Sequence, residues 1–225
     1  MQKLPRHIAI VMDGNNRWAL YNKTDIEKSY RRGSQVAENI IRYCEKIGIE
    51  YLTLYAFSLE NWNRPKEEVG LIMDIFKEAI ISQLQEISKD NIRVIFIGDR
   101  SLLRQDIIIA MEDLEARSKD SKGLVVRIAI SYGSRQEIIK AAEEASKSNL
   151  PYEEAFKMAI NRHNIPDPDL VIRTSGEMRI SNFLLWEIAY SELYFTKTLW
   201  PDFDEGALQS ALEHFLLRER RFGKR

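Results

Sequence analysis

The stretch His7-Ile8-Ala9-Ile10-Val11-Met12-Asp13-Gly14-Asn15-Asn16-Arg17-Trp18 runs from an unbroken apolar segment straight into a carboxylate, a glycine turn and an arginine. The five residues from Ile8 to Met12 match a strand covered on both faces, the kind found in parallel sheets flanked by helices. Ligands of such sheets bind beyond the carboxyl ends of the strands. This reading puts Asp13 where a carboxylate can meet Mg2+, the amides of Gly14, Asn15 and Asn16 where they can meet an anion, and Arg17 where it can clamp a phosphate. A carboxylate at this point serves equally well as the cap of a turn or helix.

Outward from this segment, strand-like runs recur near residues 7–12, 51–57, 92–97, 124–130 and 169–172, with helical periodicity between them. That alternation predicts an α/β chain whose central sheet is mostly parallel. Val36, Ala37, Ile40, Ile41, Cys44 and Ile47 fall at helical spacing and Gly48 follows as a stop, which predicts a helix over 34–47. Residues 20–32 are polar and charged, and 164–169 contain Pro166 and Pro168, so both read as loops. The first lies beside the Asp13 turn, where either a lid or a plain solvated loop would fit. Another helix starts at Arg64-Pro65, with Glu67 and Glu68 at its positive end. It carries two apolar rows: Val69, Ile72, Met73, Phe76, Ile80, Leu84 and Ile87 in one, Leu71, Ile75 and Ala79 in the other. Either protein packs both faces, or one row lines an apolar cavity.

The length of 225 residues suits a single domain over 1–225. With 44% hydrophobic and 30% charged residues the composition is that of a soluble globular protein. A net charge of -1 offers no general attraction to nucleic acid, and none is expected as a partner; anion binding must come from local arginine clusters. A lone Cys44 excludes an internal disulfide and fits a reducing compartment. No apolar run approaches the ~18 residues of a spanning helix, and the amino terminus lacks a signal h-region. A cytoplasmic location is expected, with contact to a membrane surface left open.

Two more clusters follow strands. Ala56-Phe57-Ser58-Leu59-Glu60-Asn61-Trp62-Asn63-Arg64 offers a hydroxyl, an amide and a cation, and residues 170–182 bring Arg173, Arg179 and Ser181. Two guanidinium forks and a hydroxyl where a helix should begin can hold a diphosphate, although each arginine alone serves equally in a salt bridge. The nucleotide signatures G-x-x-x-x-G-K-[ST] and G-x-G-x-x-G are absent, as are H-E-x-x-H and an aspartate-rich D-D-x-x-D segment.

Residues 7–19, 52–64, Ile97-Gly98-Asp99, Ser131-Tyr132-Gly133-Ser134-Arg135, 168–203 and Arg218-Glu219-Arg220-Arg221-Phe222-Gly223 together resemble the cis-prenyltransferases, almost from end to end. The resemblance implies that fold, with an apolar tunnel between sheet and helices, and repeated condensation of isopentenyl diphosphate onto an allylic primer such as farnesyl diphosphate. It implies a long polyprenyl diphosphate product with new Z double bonds. Asp13 would bind Mg2+, with Glu192 as a second acidic residue tied to the metal and the neighbouring subunit. Gly14, Asn15, Asn16, Arg17, Trp18, Tyr30 and Arg64 would serve the allylic diphosphate, and Arg173, Arg179 and Ser181 the isopentenyl diphosphate. Asp13, Ser58 and Asn61 would be catalytic, and Ile72, Ile75, Phe76 and Ala79 would line the tunnel. A homodimer and transient membrane contact during product release also follow from the resemblance.

The chain departs from the family pattern at three positions, with Asn16 where Gly is common, and Ile26 and Tyr30 where an Arg and a His are usual. Tyr30, Arg31 or Arg32 would replace those donors if 20–32 folds over the site. The departures also suggest an alternative, a catalytically silent prenyltransferase-like partner subunit, against which stand Asp13, Arg17, Arg173, Arg179 and Glu192. The arginine cluster over 218–221 reads as a solvated helix face or as a group approaching a partner's diphosphate site.

Overall fold

β-branched and other apolar residues dominate the five runs, which favours strands covered on both faces. The computed structural model describes residues 3–86 and 91–218. It contains all five as β1 (His7–Val11), β2 (Tyr51–Ser58), β3 (Arg93–Ile97), β4 (Val125–Tyr132) and β5 (Leu170–Arg173), and adds an edge strand, β6 (Glu192–Phe195). The six form one sheet in the order β3-β4-β2-β1-β5-β6, parallel throughout. The helices are α1 (Asn15–Tyr21), α2 (Ile26–Lys46), α3 (Lys66–Glu86), α4 (Gln105–Ser118), α5 (Ser134–Ser146), α6 (Tyr152–Ile160) and α7 (Glu205–Leu216).

Alternation along the strands divides the core. Ile8, Ile10, Leu52, Leu54, Leu170 and Ile172 pack with Ile40 and Cys44 of α2 and Leu208, Leu212 and Phe215 of α7. Ala9, Val11, Tyr55, Ala129 and Val171 point the other way, onto Phe183 and Leu184. That second face also holds a polar chain: His7 Nε2 to Thr53 Oγ1 at 2.8 Å, Arg127 Nε to the same oxygen at 3.1 Å, and Arg127 Nη1 to Glu187 Oε1 at 2.8 Å. Burial, and then the Arg127 charge, pushes His7 down to about 3, so its ring is neutral. A third cluster joins Val69, Met73 and Ile80 of α3 to Ile107, Met111 and Leu114 of α4.

β1 lies between β2, its successor, and β5, which the chain reaches only after leaving for the far edge. The ligand crevice of such a sheet opens at this switch point. Val11 of β1 pairs with Arg173 of β5, so Asp13 and Arg173 reach the same rim.

Three expectations need correction. α2 begins at Ile26, eight residues ahead of the expected start at 34, so most of the expected loop 20–32 is helical. Asp25 caps it, accepting from Lys28 N at 2.6 Å, and the face turned inward early on carries the small residues Ser29 and Gly33 in place of apolar bulk. No helix starts after Arg179: residues 181–190 form turns, with left-handed backbone at Ser181, Asn182 and Leu184 that an α-helix excludes. β6 is the strand that apolar pattern did not predict. Ile87 lies outside the described residues, as do Glu219, Arg220 and Arg221 of the carboxyl-terminal cluster and the side chain of Leu84. Among the described residues no helix is long and apolar enough to cross a membrane.

Candidate active site

Asp13 leaves β1 under a strap. Its amide donates to Thr174 Oγ1 at 2.8 Å, and the Thr174 hydroxyl donates to Asp13 O at 2.6 Å, which binds the ends of β1 and β5 together. Its carboxylate accepts from Arg173 Nη2 at 2.8 Å and from Arg17 Nη2 at 3.4 Å. Burial opposes the Asp13 charge, but the Arg173 hydrogen bond and charge, aided by Ser175 and Arg17, outweigh it and hold the carboxyl below the usual range. Gly14 adopts φ 118°, and a Cβ there would meet Leu199 at 3.0–3.1 Å, so only glycine allows this turn into α1.

Arg173 is 4% exposed. Its Nη1 donates to Arg179 O and to Ser181 Oγ, both at 2.6 Å, so one guanidinium ties the β5 loop to Asp13, while its Nε is buried without a partner. Arg17 donates to Ser175 O at 2.8 Å and Ser175 Oγ at 2.6 Å. The Glu177 carboxylate lies between two guanidiniums, 3.2 Å from Arg17 Nη1 and in close contact with Arg179 Nη1. A carboxylate bridging two arginines sits where a phosphate would be held. Left-handed backbone at Ser131, Ser175, Ser181 and Asn182 concentrates strain on this rim.

From the other side, Arg64 Nη1 donates to Tyr30 Oη at 2.7 Å and to Glu68 Oε1 at 3.0 Å, and Tyr30 lies 2.9 Å from the same carboxylate oxygen. Tyr30 therefore does join the site, carried by α2. Ser58 and Asn61 cap the 3-10 turn Leu59–Asn63 reciprocally, with Ser58 N donating to Asn61 Oδ1 at 3.1 Å. Trp62 is fixed by its indole N–H to Ser131 Oγ at 2.9 Å.

This rim opens onto a cavity of about 960 Å³ between α2, α3 and the sheet. Ile72, Ile75, Phe76 and Ala79 of α3 line it, and Ile92, Val94, Leu114 and Val126 close its far end. The division does not follow the two rows of α3: Val69 and Met73 belong to core, Ile80 is shared between core and cavity wall, and Ile72 and Phe76 of the first row face the cavity together with Ile75 and Ala79 of the second. The cavity wall includes Asp13, Gly14, Asn15, Asn16, Arg17, Tyr30, Ser58, Asn61, Arg64, Arg173, Arg179 and Ser181.

Two expected residues do not join them. Trp18 is 8% exposed and turned into the packing of α1, with the Arg32 guanidinium 5.4 Å from its ring, and it does not line the cavity. Glu192 pairs with Leu170 at the amino end of β6, three residues before Phe195, the partner of Arg173. It lies roughly 10 Å below the rim and two strand spacings, about 10 Å, to one side. One chain therefore does not bring Glu192 to Asp13. Ser175, Glu177 and Glu68 are rim residues that motif reading passed over; Glu177 and Glu68 are acids inside basic clusters, which in sequence look like surface salt-bridge partners.

Among the described residues no three or more His, Cys, Asp or Glu side chains gather as a metal cage. A single ionised carboxylate at the mouth fits Mg2+, which keeps waters and takes phosphate oxygens in preference to a full protein shell.

The chain matches the family model described as putative undecaprenyl diphosphate synthase over residues 11–223. An isoprenyl transferase of Aquifex aeolicus is 48% identical over 225 residues, covering 99% of this chain and 97% of that protein, and one of Neisseria gonorrhoeae is 43% identical, covering 98% and 90%. Among solved structures, lavandulyl diphosphate synthase from Lavandula x intermedia, crystallised with dimethylallyl diphosphate, superposes with TM-score 0.93 at 32% identity, over 98% of this chain and 99% of that one. A probable undecaprenyl diphosphate synthase from Campylobacter jejuni gives 0.82 at 34% identity over the whole of both chains.

Proposed function

We propose that this chain, which belongs to the undecaprenyl diphosphate synthase family and is a cis-prenyltransferase, adds isopentenyl units to farnesyl diphosphate and releases a long polyprenyl diphosphate, undecaprenyl diphosphate being the expected product. The observation that carries this is the junction of an arginine-ringed rim with an apolar cavity of about 960 Å³.

In this reading Arg17 and Arg64, with the amides of Gly14, Asn15 and Asn16, receive the allylic diphosphate, and Arg173, Arg179 and Ser181 receive the isopentenyl diphosphate. Ionising the allylic C–O bond builds negative charge on the departing diphosphate. Guanidinium donors already fixed by Asp13, Ser175 and Ser181 stabilise that charge without reorganising. Mg2+, held by Asp13 and phosphate oxygens, would supply further neutralisation of the same charge. Ser58 and Asn61 are held by their reciprocal capping at the edge of the reacting centre. The growing tail enters the cavity past Ile72, Ile75, Phe76 and Ala79. Each unit of five carbons, at about 0.8 kcal/mol per CH2, adds about 4 kcal/mol of retention, which makes release slow and favours its assistance by a membrane surface.

A homodimer belongs to the same proposal. β6 is an edge strand, and Trp186, Tyr190 and Leu193 near it are 48%, 74% and 42% exposed. A second copy along this edge would place Glu192 at the subunit boundary, the setting in which it could serve a metal. A cytoplasmic location suits these substrates. Labelled isopentenyl diphosphate and farnesyl diphosphate, incubated with the protein with and without EDTA and followed by sizing of the extracted lipid, test the reaction. A Mg2+-dependent long-chain ladder is expected, and no incorporation would defeat the proposal.

A further inference from the structure

Where α1, α2 and the start of α3 meet, one carboxylate oxygen gathers three donors. Glu68 Oε1 lies 2.9 Å from Tyr30 Oη, 3.0 Å from Arg64 Nη1 and 3.4 Å from Asn16 Nδ2. Arg64 Nη1 is also 2.7 Å from Tyr30 Oη. Burial, opposed by the Arg64 charge, pushes the Tyr30 phenol well above its ordinary value, so the hydroxyl keeps its proton. Asn16 Oδ1 also lies 3.0 Å from Tyr30 Oη; with one hydrogen to give, the phenol donates to the charged Glu68 in preference to that neutral amide oxygen and accepts from Arg64. The count closes: both hydrogens of Nη1 are used, one on Tyr30 and one on Glu68, and the Nη2 and Nε hydrogens remain for a ligand.

A helix-dipole role does not account for Glu68. The exposed Glu67 beside it serves the positive end of α3, whereas the Glu68 side chain is 18% exposed and turned into the cluster. We propose that Glu68 is a positioning residue that pins one nitrogen of Arg64 through itself and Tyr30, so that the remaining edge of the guanidinium is presented to the allylic diphosphate. This rests on the assignment of that diphosphate to the Arg17–Arg64 side of the rim. An opposite role is open to the same carboxylate, that of a competing anion which Arg64 must leave before substrate can bind, and the two predict opposite signs.

The test uses the intact protein with Glu68→Ala, Glu68→Gln, Tyr30→Phe and the Glu68→Ala/Tyr30→Phe double variant. KM and kcat are measured for farnesyl diphosphate and isopentenyl diphosphate separately, and binding of farnesyl diphosphate alone and of inorganic pyrophosphate is followed by calorimetry. Glu68→Ala should raise the primer KM and weaken farnesyl diphosphate binding about tenfold, the loss expected for a charge-assisted contact, and leave the isopentenyl diphosphate KM within about twofold. Glu68→Gln, whose amide oxygen can still accept both bonds, should recover most of that loss. Tyr30→Phe should act in the same direction as Glu68→Ala and add little to it, because both break one cluster. Primer affinity unchanged or tightened in Glu68→Ala, equal losses for both substrates, or additive effects in the double variant would each overturn the proposal. Should Glu68→Ala melt below the assay temperature, Tyr30→Phe decides alone: a raised primer KM with unchanged isopentenyl diphosphate KM supports it, and no change refutes it. If the wild type elongates no primer, the reaction assignment has failed, and the calorimetric series still reads the cluster.

Discussion

Replacing Ala79 with phenylalanine should shorten the product and spare the chemistry. Ala79 lies on the cavity wall, thirteen residues along α3 from Lys66, which at ~1.5 Å per residue is about 20 Å from the helix start beside the diphosphate rim. A ring projecting from that point occupies space the tail needs late in elongation and touches nothing at the rim. The largest species in the lipid ladder should therefore fall by at least one five-carbon unit, with KM for both substrates unchanged. Losing one buried unit removes about 4 kcal/mol of retention, an upper estimate from burial area, and corresponds to about a thousandfold faster release. Detergent stimulation of steady turnover should shrink accordingly. Product sizing under single-turnover and steady-state conditions reads both effects, with a melting curve to detect the overpacking loss of about 1–3 kcal/mol expected if the ring were forced into core. A full-length ladder from a stably folded variant, or altered KM values, would show that the tail does not pass Ala79.

Other perturbations test the scaffold and the rim. Burial, then the Glu187 charge, pushes Glu137 up to about 7 from an ordinary 4.5. The folded state thus holds that proton more tightly than the unfolded chain, so this group's stabilisation is complete below about 4.5 and is lost as pH rises through about 7. Glu137→Gln should flatten the fall in urea stability between pH 5 and 8 by about 3 kcal/mol, and parallel curves for variant and wild type would refute this. Gly98 has φ 125°, and a Cβ there would lie 1.9 Å from Ile130 O, so Gly98→Ala should cost roughly 3 kcal/mol or more in thermal unfolding; a wild-type melting temperature would show that the β3 end relaxes freely. EDTA should abolish isopentenyl transfer yet leave the melting temperature unchanged, because Arg173 and Arg17 hold Asp13 without a metal. A large drop in melting temperature would point to a structural ion.

What sequence could and could not disclose follows from which forces act locally. Five strands were legible because burial on both faces demands unbroken apolar runs. β6 was not, since an edge strand of four partly exposed residues needs no such run. The early turns of α2 escaped because Ser29 and Gly33 make the contact where apolar residues would have announced it, yet Asp25 followed by Glu27 was a readable start signal. Trp18 could have been placed correctly from phase alone: adjacent helical residues point about 100° apart, so an Arg17 aimed into the cleft turns Trp18 out of it. Glu192 is different, because only strand register tells which end of β6 it occupies, and register is decided by the whole sheet. The same holds for the meeting of Asp13 with Arg173, 160 residues apart, which the Val11–Arg173 pairing brings about. Motifs thus identify which groups can handle diphosphate, while register and helix phase decide which of them face one another. The acids Glu68 and Glu177 show why both are needed: sequence reads Glu68 only as a helix-end charge and gives Glu177 no role, and each gains its meaning from the two donors that the fold sets beside it, Arg64 and Tyr30 for Glu68, Arg17 and Arg179 for Glu177.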